Sequence, residues 1–507
     1  MTNPSSAAPS TAHPSDPIKN LFRRRLITGA CMMAIFMAAV EGTIVATAMP
    51  TIVAELGGFR LFSWVFTAYF LAQAVTTPIY GRLADLFGRK PVLFVGTCIF
   101  LIGSTACGFT SGMVLLIAFR TLQGLGAGAI QSIATTIIGD IYPPAERARL
   151  QGWLSSVWGL AAVIGPVLGA FIVEHLHWAF VFWINLPIGI AAIAILAAFL
   201  DERLTPRQHQ IDYLGSALMM LGVGAIMMVV VQAESLDRPV IATLLIAGTL
   251  ALILLVVNER RSREPIVPFR LLGSRIIAAG NLGGLAVGAL LTCVVGFLPT
   301  YVQGAMGRTP TTTGIVIAVL SVAWAGASVV AGRLMVRASY RLTGALGALA
   351  LIFGCALLIA LDESNSLALV NGGAVLIGIG MGFCNTTFLV SVQTSVGWSE
   401  RGAVTSSVLF MRTIGQALGA GIAGAILNFS LARTAPTAGE TLNQLLAPDL
   451  RGRLDPQIIA QLSHAIASSL HEVYVIAGVL AALTLALIAL LPAGASPTQA
   501  AKAGGAS

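Results

Sequence analysis

Glu41 is the only carboxylate set deep within a long apolar stretch of this 507-residue chain, the run from Leu26 to Met49. An ionised carboxylate in hydrocarbon is costly, so a residue placed there usually faces a cavity or a charged partner. Desolvation favours its neutral form, which brings proton binding and release towards physiological pH. Arg120 is the counter-charge at hand, in a second apolar run and followed by Gln123 and Gly124. Arginine keeps its proton at any useful pH. Its contribution is therefore electrostatic: it pairs with Glu41 or shifts that acid's protonation. A purely structural ion pair is the plainer alternative. Arg412 lies in a third run, Val404–Leu427, and packing and cavity-lining roles are equally open for it. Catalytic patterns are absent: there is no Walker A lysine, no His-Glu-x-x-His and no Gly-x-Ser-x-Gly turn. Cys31, Cys98, Cys107, Cys293, Cys355 and Cys384 all fall in apolar runs without C-x-x-C spacing. Neither a disulfide framework nor a metal site is expected, and neither is an enzyme.

The elements that carry these residues are membrane helices. Hydrophobic residues make up 56% and charged residues 10% of the chain, with mean hydropathy +0.87. A soluble domain carries about 25% charged residues, so these segments face lipid. The net charge of +8 would point to nucleic acid in a soluble protein. Here the arginines sit at the ends of apolar runs and form no stripe, so no nucleic-acid partner is expected. Fourteen such runs recur, and helix is the form that satisfies their backbone in lipid. The fifth is Leu154–Val173, the inserted seventh and eighth are Leu214–Val231 and Val240–Val257, and the last is Val473–Leu491. Placing both termini in the cytoplasm puts 21 of the 29 Lys and Arg residues on that side and 6 outside. That bias is the positive-inside rule.

The segment Gly81-Arg82-Leu83-Ala84-Asp85-Leu86-Phe87-Gly88-Arg89-Lys90 joins the second and third runs. It resembles the cytoplasmic loop motif G-x-L-A-D-x-x-G-R-K/R of the major facilitator superfamily, matching every specified position. The resemblance implies an all-α integral membrane transporter of two six-helix halves. By the same resemblance, Gly81, Arg82, Asp85, Gly88, Arg89 and Lys90 form a conformational latch. Asp85 would meet the positive N-terminal end of a helix from the other half, and the basic residues would pair across the same cytoplasmic seam.

Weak internal repeats agree with a duplication. Gly81-Arg82-Leu83 recurs as Gly332-Arg333-Leu334, and Glu146-Arg147 as Glu400-Arg401. Val336 replaces the aspartate in the second copy, so the halves are not equivalent. The expected organisation is a disordered cytoplasmic tail (1–25), an N-terminal six-helix bundle (26–200) and an inserted helix pair with its flanking loops (201–275). A C-terminal six-helix bundle (276–492) with an outer loop (428–470) and a second tail (493–507) complete it. Fourteen crossings resemble the drug:proton antiporter-2 family.

Three further stretches bear on that resemblance. Glu41-Gly42-Thr43-Ile44-Val45-Ala46 through Pro50 is similar to that family's first-helix motif, with Glu for the usual Asp and Ala46 for the usual Asn. Arg120 with Gln123-Gly124 is similar to its fourth-helix motif. Gly152, Gly165, Pro166 and Gly169 match the antiporter motif of the fifth helix, with Ala161 and Ala170 where glycines are usual. Small residues allow close helix approach, and a general packing role is the alternative to a directional one.

The expected function is proton-coupled export of hydrophobic or amphipathic compounds, a multidrug antiporter working by alternating access. An exporter of one endogenous lipid or metabolite is the alternative, and a solute importer a further one. Gln123, Gln131, Asn385, Gln393 and Arg412 are candidates for the substrate cavity. No cofactor is expected beyond the proton motive force. The partners are protons, small substrates and the lipid bilayer. A multi-pass monomer in the inner membrane is expected, and a periplasmic adaptor is left open.

Overall fold

A bilayer offers the backbone no hydrogen-bond partners, so each apolar run must close its own ladder. The computed structural model describes residues 21–142, 144–201, 213–232, 236–261, 273–361, 367–397, 401–435, 439–446 and 451–491, and no strand occurs among them. The first six helices are α1 (Leu21–Leu56), α2 (Phe62–Phe87), α3 (Arg89–Cys107), α4 (Met113–Ile141), α5 (Pro144–His175) and α6 (Phe180–Phe199). Two follow, α7 (Tyr213–Gln232) and α8 (Arg238–Arg261). The rest are α9 (Arg275–Ala305), α10 (Pro310–Arg337), α11 (Tyr340–Ile359), α12 (Leu367–Thr394), α13 (Arg401–Thr434), the short α14 (Gly439–Leu446) and α15 (Pro456–Ala489).

Among the described residues, twelve of these helices are long and apolar enough to cross a membrane. The other two expected crossings coincide with α2, of 26 residues, and α7, of 20. Gln73, Thr76, Thr77 and Pro78 dilute the apolar character of α2. The tails at 1–20 and 492–507, and the loops 202–212 and 262–272 beside the inserted pair, lie outside the described residues.

Several helices outrun their apolar windows. With 34 residues each, α13 and α15 are about 50 Å long against a hydrocarbon core of about 30 Å. The expected outer loop 428–470 is therefore largely helical. Asp455 caps α15 by accepting from Gln457 N at 2.8 Å, with Pro456 in the first turn. Ile458, Ile459 and Leu462 belong to the first turns of α15. Leu442, Leu445 and Leu446 are buried where α14 packs on α1 and α15. Hydropathy marks only the part of a helix inside lipid, which is why these extensions escape it.

Packing is duplicated. In the first set α1 packs on α4, α5 and α6, α2 on α4, and α3 on α4 and α6. In the second, α9 packs on α12, α13 and α15, α10 on α12, and α11 on α12 and α15. Each pair of the first set maps onto one of the second when α1–α6 are matched in order to α9–α13 and α15. The two sets meet through α2 against α13 and α5 against α10, which the same mapping exchanges.

Those meeting points lie towards one end. Calling the end with Gly81–Lys90 the basic end, the described bridges between the sets cluster at the other. Glu174 of α5 accepts from Thr311 N at 2.7 Å and from Thr311 Oγ1 at the start of α10. Asn428 donates to Arg60 O at 2.8 Å and Gln303 to Thr47 O at 3.3 Å. Phe62 packs on Phe297 with centroids 5.2 Å apart. At the basic end, a Cβ added to Gly81, Gly139, Gly332 or Gly402 would meet nothing within 4 Å. The described bridges between the sets thus gather at the end opposite the Gly81–Lys90 corner.

The inserted pair sits on the outside. α7 packs on α2 and α13, and α8 packs on α7 through Gly222 and Gly248. Ile246, Leu250, Ile253, Leu254 and Val257 of α8 are exposed and apolar, as a lipid-facing stripe requires. Cysteines placed at Ile246, Leu250 and Ile253 are expected to resist water-soluble thiol reagents whether or not substrate is present. Labelling that substrate suppresses would put α8 on the transport path and overturn this placement.

Candidate functional site

Glu41 and Arg120 meet in the interior of the first helix set. Both are fully buried, and Arg120 Nη1 donates to Glu41 Oε1. The pair is locked by neutral neighbours. Asn185 Nδ2 on α6 donates to Glu41 Oε2 at 2.7 Å and to Ser104 Oγ on α3 at 2.9 Å. Gln123 Oε1 accepts from Arg120 Nη1 at 2.7 Å, and its Nε2 donates to Ser104 Oγ at 3.1 Å. Ser104 Oγ in turn donates to Phe182 O at 2.8 Å. Arg120 Nε donates to Val65 O at 3.2 Å, and its guanidinium lies over the Tyr69 ring 4.1 Å from the centroid. Five helices thus contribute to one network. Gly103 lets α3 approach α4 closely there, since a Cβ would fall 2.6 Å from Gln123 N.

Such a network can hold an ion pair that neither water nor lipid reaches. Arg120 Nη2 is the exception, buried and without a hydrogen-bond partner. A buried pair of this kind adds little net stability, but losing either partner strands the other charge. Protonating the acid would cancel the attraction within the pair.

The expectation that Gln123 lines the cavity wall is corrected: it is fully buried and belongs to this network instead. Asn185 and Ser104 are additions that the sequence does not single out. Each is a small neutral polar residue in an apolar run, and only the fold brings them to the Glu41 network from 144 and 63 positions away. Gln131 and Asn385 are partly exposed on α4 and α12, and Gln393 Nε2 donates to Thr405 Oγ1 of α13 at 3.0 Å. Arg412 is partly exposed and its Nε is buried without a partner. Gln73 of α2 is partly exposed too.

Gly165 and Gly169 hold α5 against α1: a Cβ on Gly169 would lie 2.8 Å from Ile44 O, and one on Gly165 would collide with Thr43. Pro166 continues within α5, and Gly314 of α10 approaches its carbonyl, at 2.7 Å from the position of a Cβ. Gly152 lies in α5 with its surroundings outside the described residues. The second set repeats the device, with Gly415 and Gly419 of α13 against the carbonyls of Leu285 and Ala289 on α9. The short repeats between the halves do not include these two glycines.

The latch segment spans the α2–α3 corner. Gly88 alone makes the turn, at φ 93°, which a side chain would strain. The side chain of Asp85 lies outside the described residues. Two basic residues of the segment have described partners on α4 and α6. Arg89 pairs with Asp140 at the end of α4, and Lys90 Nζ donates to Leu200 O at 2.7 Å and Ala197 O at 2.9 Å. These partners all belong to the first helix set. Beside them Arg23 bonds Asp201 and holds its carboxyl below the usual aspartate range.

Comparisons with known proteins agree with this architecture. "Multidrug transporter protein MdtP" of Bacillus subtilis (strain 168) is 34% identical over 409 residues, covering 80% of this chain and 75% of that protein. "Multidrug resistance protein 3" of the same organism is 30% identical over 475 residues, covering 90% of this chain and 93% of the relative. Among solved structures, a bacterial homolog of the human lysosomal transporter Spinster, inward-facing and unoccupied, matches with TM-score 0.62 at 16% identity. That match covers 94% of this chain and all of the other, and it speaks to fold alone. The family model of the Major Facilitator Superfamily matches residues 31–420. With that match over most of its length, and with two six-helix sets packed alike around a central seam, the chain belongs to the Major Facilitator Superfamily.

Proposed function

We propose that this transporter is a proton-coupled exporter of hydrophobic or amphipathic compounds, of the fourteen-helix drug:proton antiporter-2 type. The observation that carries the reading is the sealed Glu41–Arg120 pair with its ligands Asn185, Gln123 and Ser104. A carboxylate so enclosed cannot exchange a proton where it stands. It can do so only when the helices around it separate, which couples proton binding to a change of conformation. The relatives named as multidrug proteins support export of varied small molecules.

On this reading the basic end faces the cytoplasm, because that is where Lys and Arg concentrate. The bridges gathered at the opposite end then suit an inward-open state. Substrate enters between the helix sets from the cytoplasm or the inner leaflet. Closing the basic end would bring the open faces of Gly81 and Gly332 together with the other set and engage the latch. Proton entry from outside neutralises Glu41, and release inside re-forms the pair and resets the cycle. Gly152, Gly165, Pro166 and Gly169 serve this cycle by keeping α5 tight on α1 as a rigid unit.

The direct test is efflux of a fluorescent drug panel from energised cells, with and without a protonophore. Export that collapses with the proton gradient supports the reading, and gradient-independent export overturns the coupling. The latch gives a sharper expectation. Asp85→Asn should lower turnover about tenfold or more with little change in substrate affinity, because it biases states and makes no ligand contact. A large affinity loss at normal turnover would contradict that role.

A further inference from the structure

Arg412 makes no ion pair and no side-chain hydrogen bond among the described residues, and its Nε is buried without a partner. It stands eleven residues into α13, about 16 Å along the axis from Arg401. A cation at that depth is costly unless water or an anion attends it.

The contacts of α13 fix which way this residue looks. Gly415 and Gly419 press against α9. Thr67 of α2 donates to Ala417 O at 3.5 Å, and Gly424 abuts Ser63 of α2. Thr405 meets Gln393 of α12. Leu409, Arg412 and Gln416 continue the Thr405 stripe at helical spacing. They occupy the arc between α12 and α2, which is the interior seam between the two helix sets. All three are partly exposed, and Gly288 of α9 backs onto the main chain of Arg412. The interior acid nearest in kind, Glu41, is fully buried and already consumed by Arg120. The fixed charge offered to a bound molecule is therefore positive.

We propose that Arg412 is an anion-recognition group of the central cavity, and that the preferred cargo is an amphipathic monoanion: one carboxylate or sulfonate on an apolar body. The guanidinium fork receives the two oxygens of such a group in a charge-assisted pair. Gln416, one turn along, supplies a neutral donor, and Leu409 an apolar wall. Lipophilic cations meet like charge at the same place and are disfavoured. This inference rests on the export reading above and adds its substrate class.

The test uses the full-length protein in proteoliposomes under an imposed pH gradient. The probes are cholate, cholate methyl ester and tetraphenylphosphonium, the anionic, neutral and cationic members of one panel. For the unaltered protein, half-saturation for cholate is expected about tenfold or more below that of its methyl ester, the size of one charged hydrogen-bonded contact. Arg412→Gln should erase that difference, Arg412→Lys should restore part of it, and methyl-ester transport should persist in both. If the unaltered protein moves the ester or tetraphenylphosphonium as well as cholate, the anion preference is overturned and the export reading stands. If none of the three moves, the export reading falls and this inference falls with it. The comparison of acid with ester needs no variant, so it decides the anion preference even if Arg412→Gln folds poorly.

Discussion

Glu41→Gln is expected to abolish proton-driven transport while substrate binding stays measurable. Glutamine keeps the size of the side chain and can still meet Asn185 Nδ2, which lies 2.7 Å from Glu41 Oε2. What it loses is the one interior acid that could take up a proton and then release it. Arg120 cannot substitute, because it never gives up its charge. It also keeps its bonds to Val65 O and Gln123 and its place over Tyr69, so the pocket is not emptied. A pH gradient imposed across proteoliposomes should therefore drive no efflux through the variant. A binding titration with the same compound should shift by no more than about threefold, under 1 kcal/mol. Full proton-driven efflux by Glu41→Gln would remove this acid from the mechanism.

The parts legible in the sequence were those written in consecutive residues. The Gly81–Lys90 segment names its family because its chemistry sits within ten positions, and Gly88 makes its turn with a φ only glycine tolerates comfortably. Glu41 and Arg120 are legible because a charge in an apolar run is expensive and so conspicuous. Asn185 and Ser104 are not. An amide or hydroxyl in an apolar helix costs far less than a charge, and nothing local says which helix it faces.

The helix extensions were hidden for a different reason. Residues 456–472 of α15 lie beyond the apolar window, yet they are helical because Asp455 caps them and α13 and α14 pack beside them. The latch partners depend on conformation as well as sequence. Arg89 and Lys90 bond Asp140 and Leu200 here, partners that a ten-residue motif does not name. The outer placement of α7 on α2 and α13 has a similar consequence. These two helices come from different sets, so any rocking of the sets would oblige α7 to slide on one of them.

Arg120→Met carries the second large effect, this time on stability. Removing the guanidinium strands Glu41 in a fully buried site and removes the donor that also held Gln123 and Val65 O. Breaking a buried pair from one side costs about 3–5 kcal/mol, so the variant should melt well below the unaltered protein. The informative comparison is Glu41→Gln combined with Arg120→Met. That interior is neutral and of similar volume, and Asn185 and Ser104 can still bond to the new amide. The double variant is expected to regain about 1–3 kcal/mol relative to Arg120→Met alone, the usual range for directly coupled neighbours. Transport should stay absent in both, because neither can hold and release the proton. Melting curves of the two singles and the double close the cycle. Losses that simply add would mean the two charges do not stabilise each other, and the sealed pair would cease to be the element that protonation unlocks.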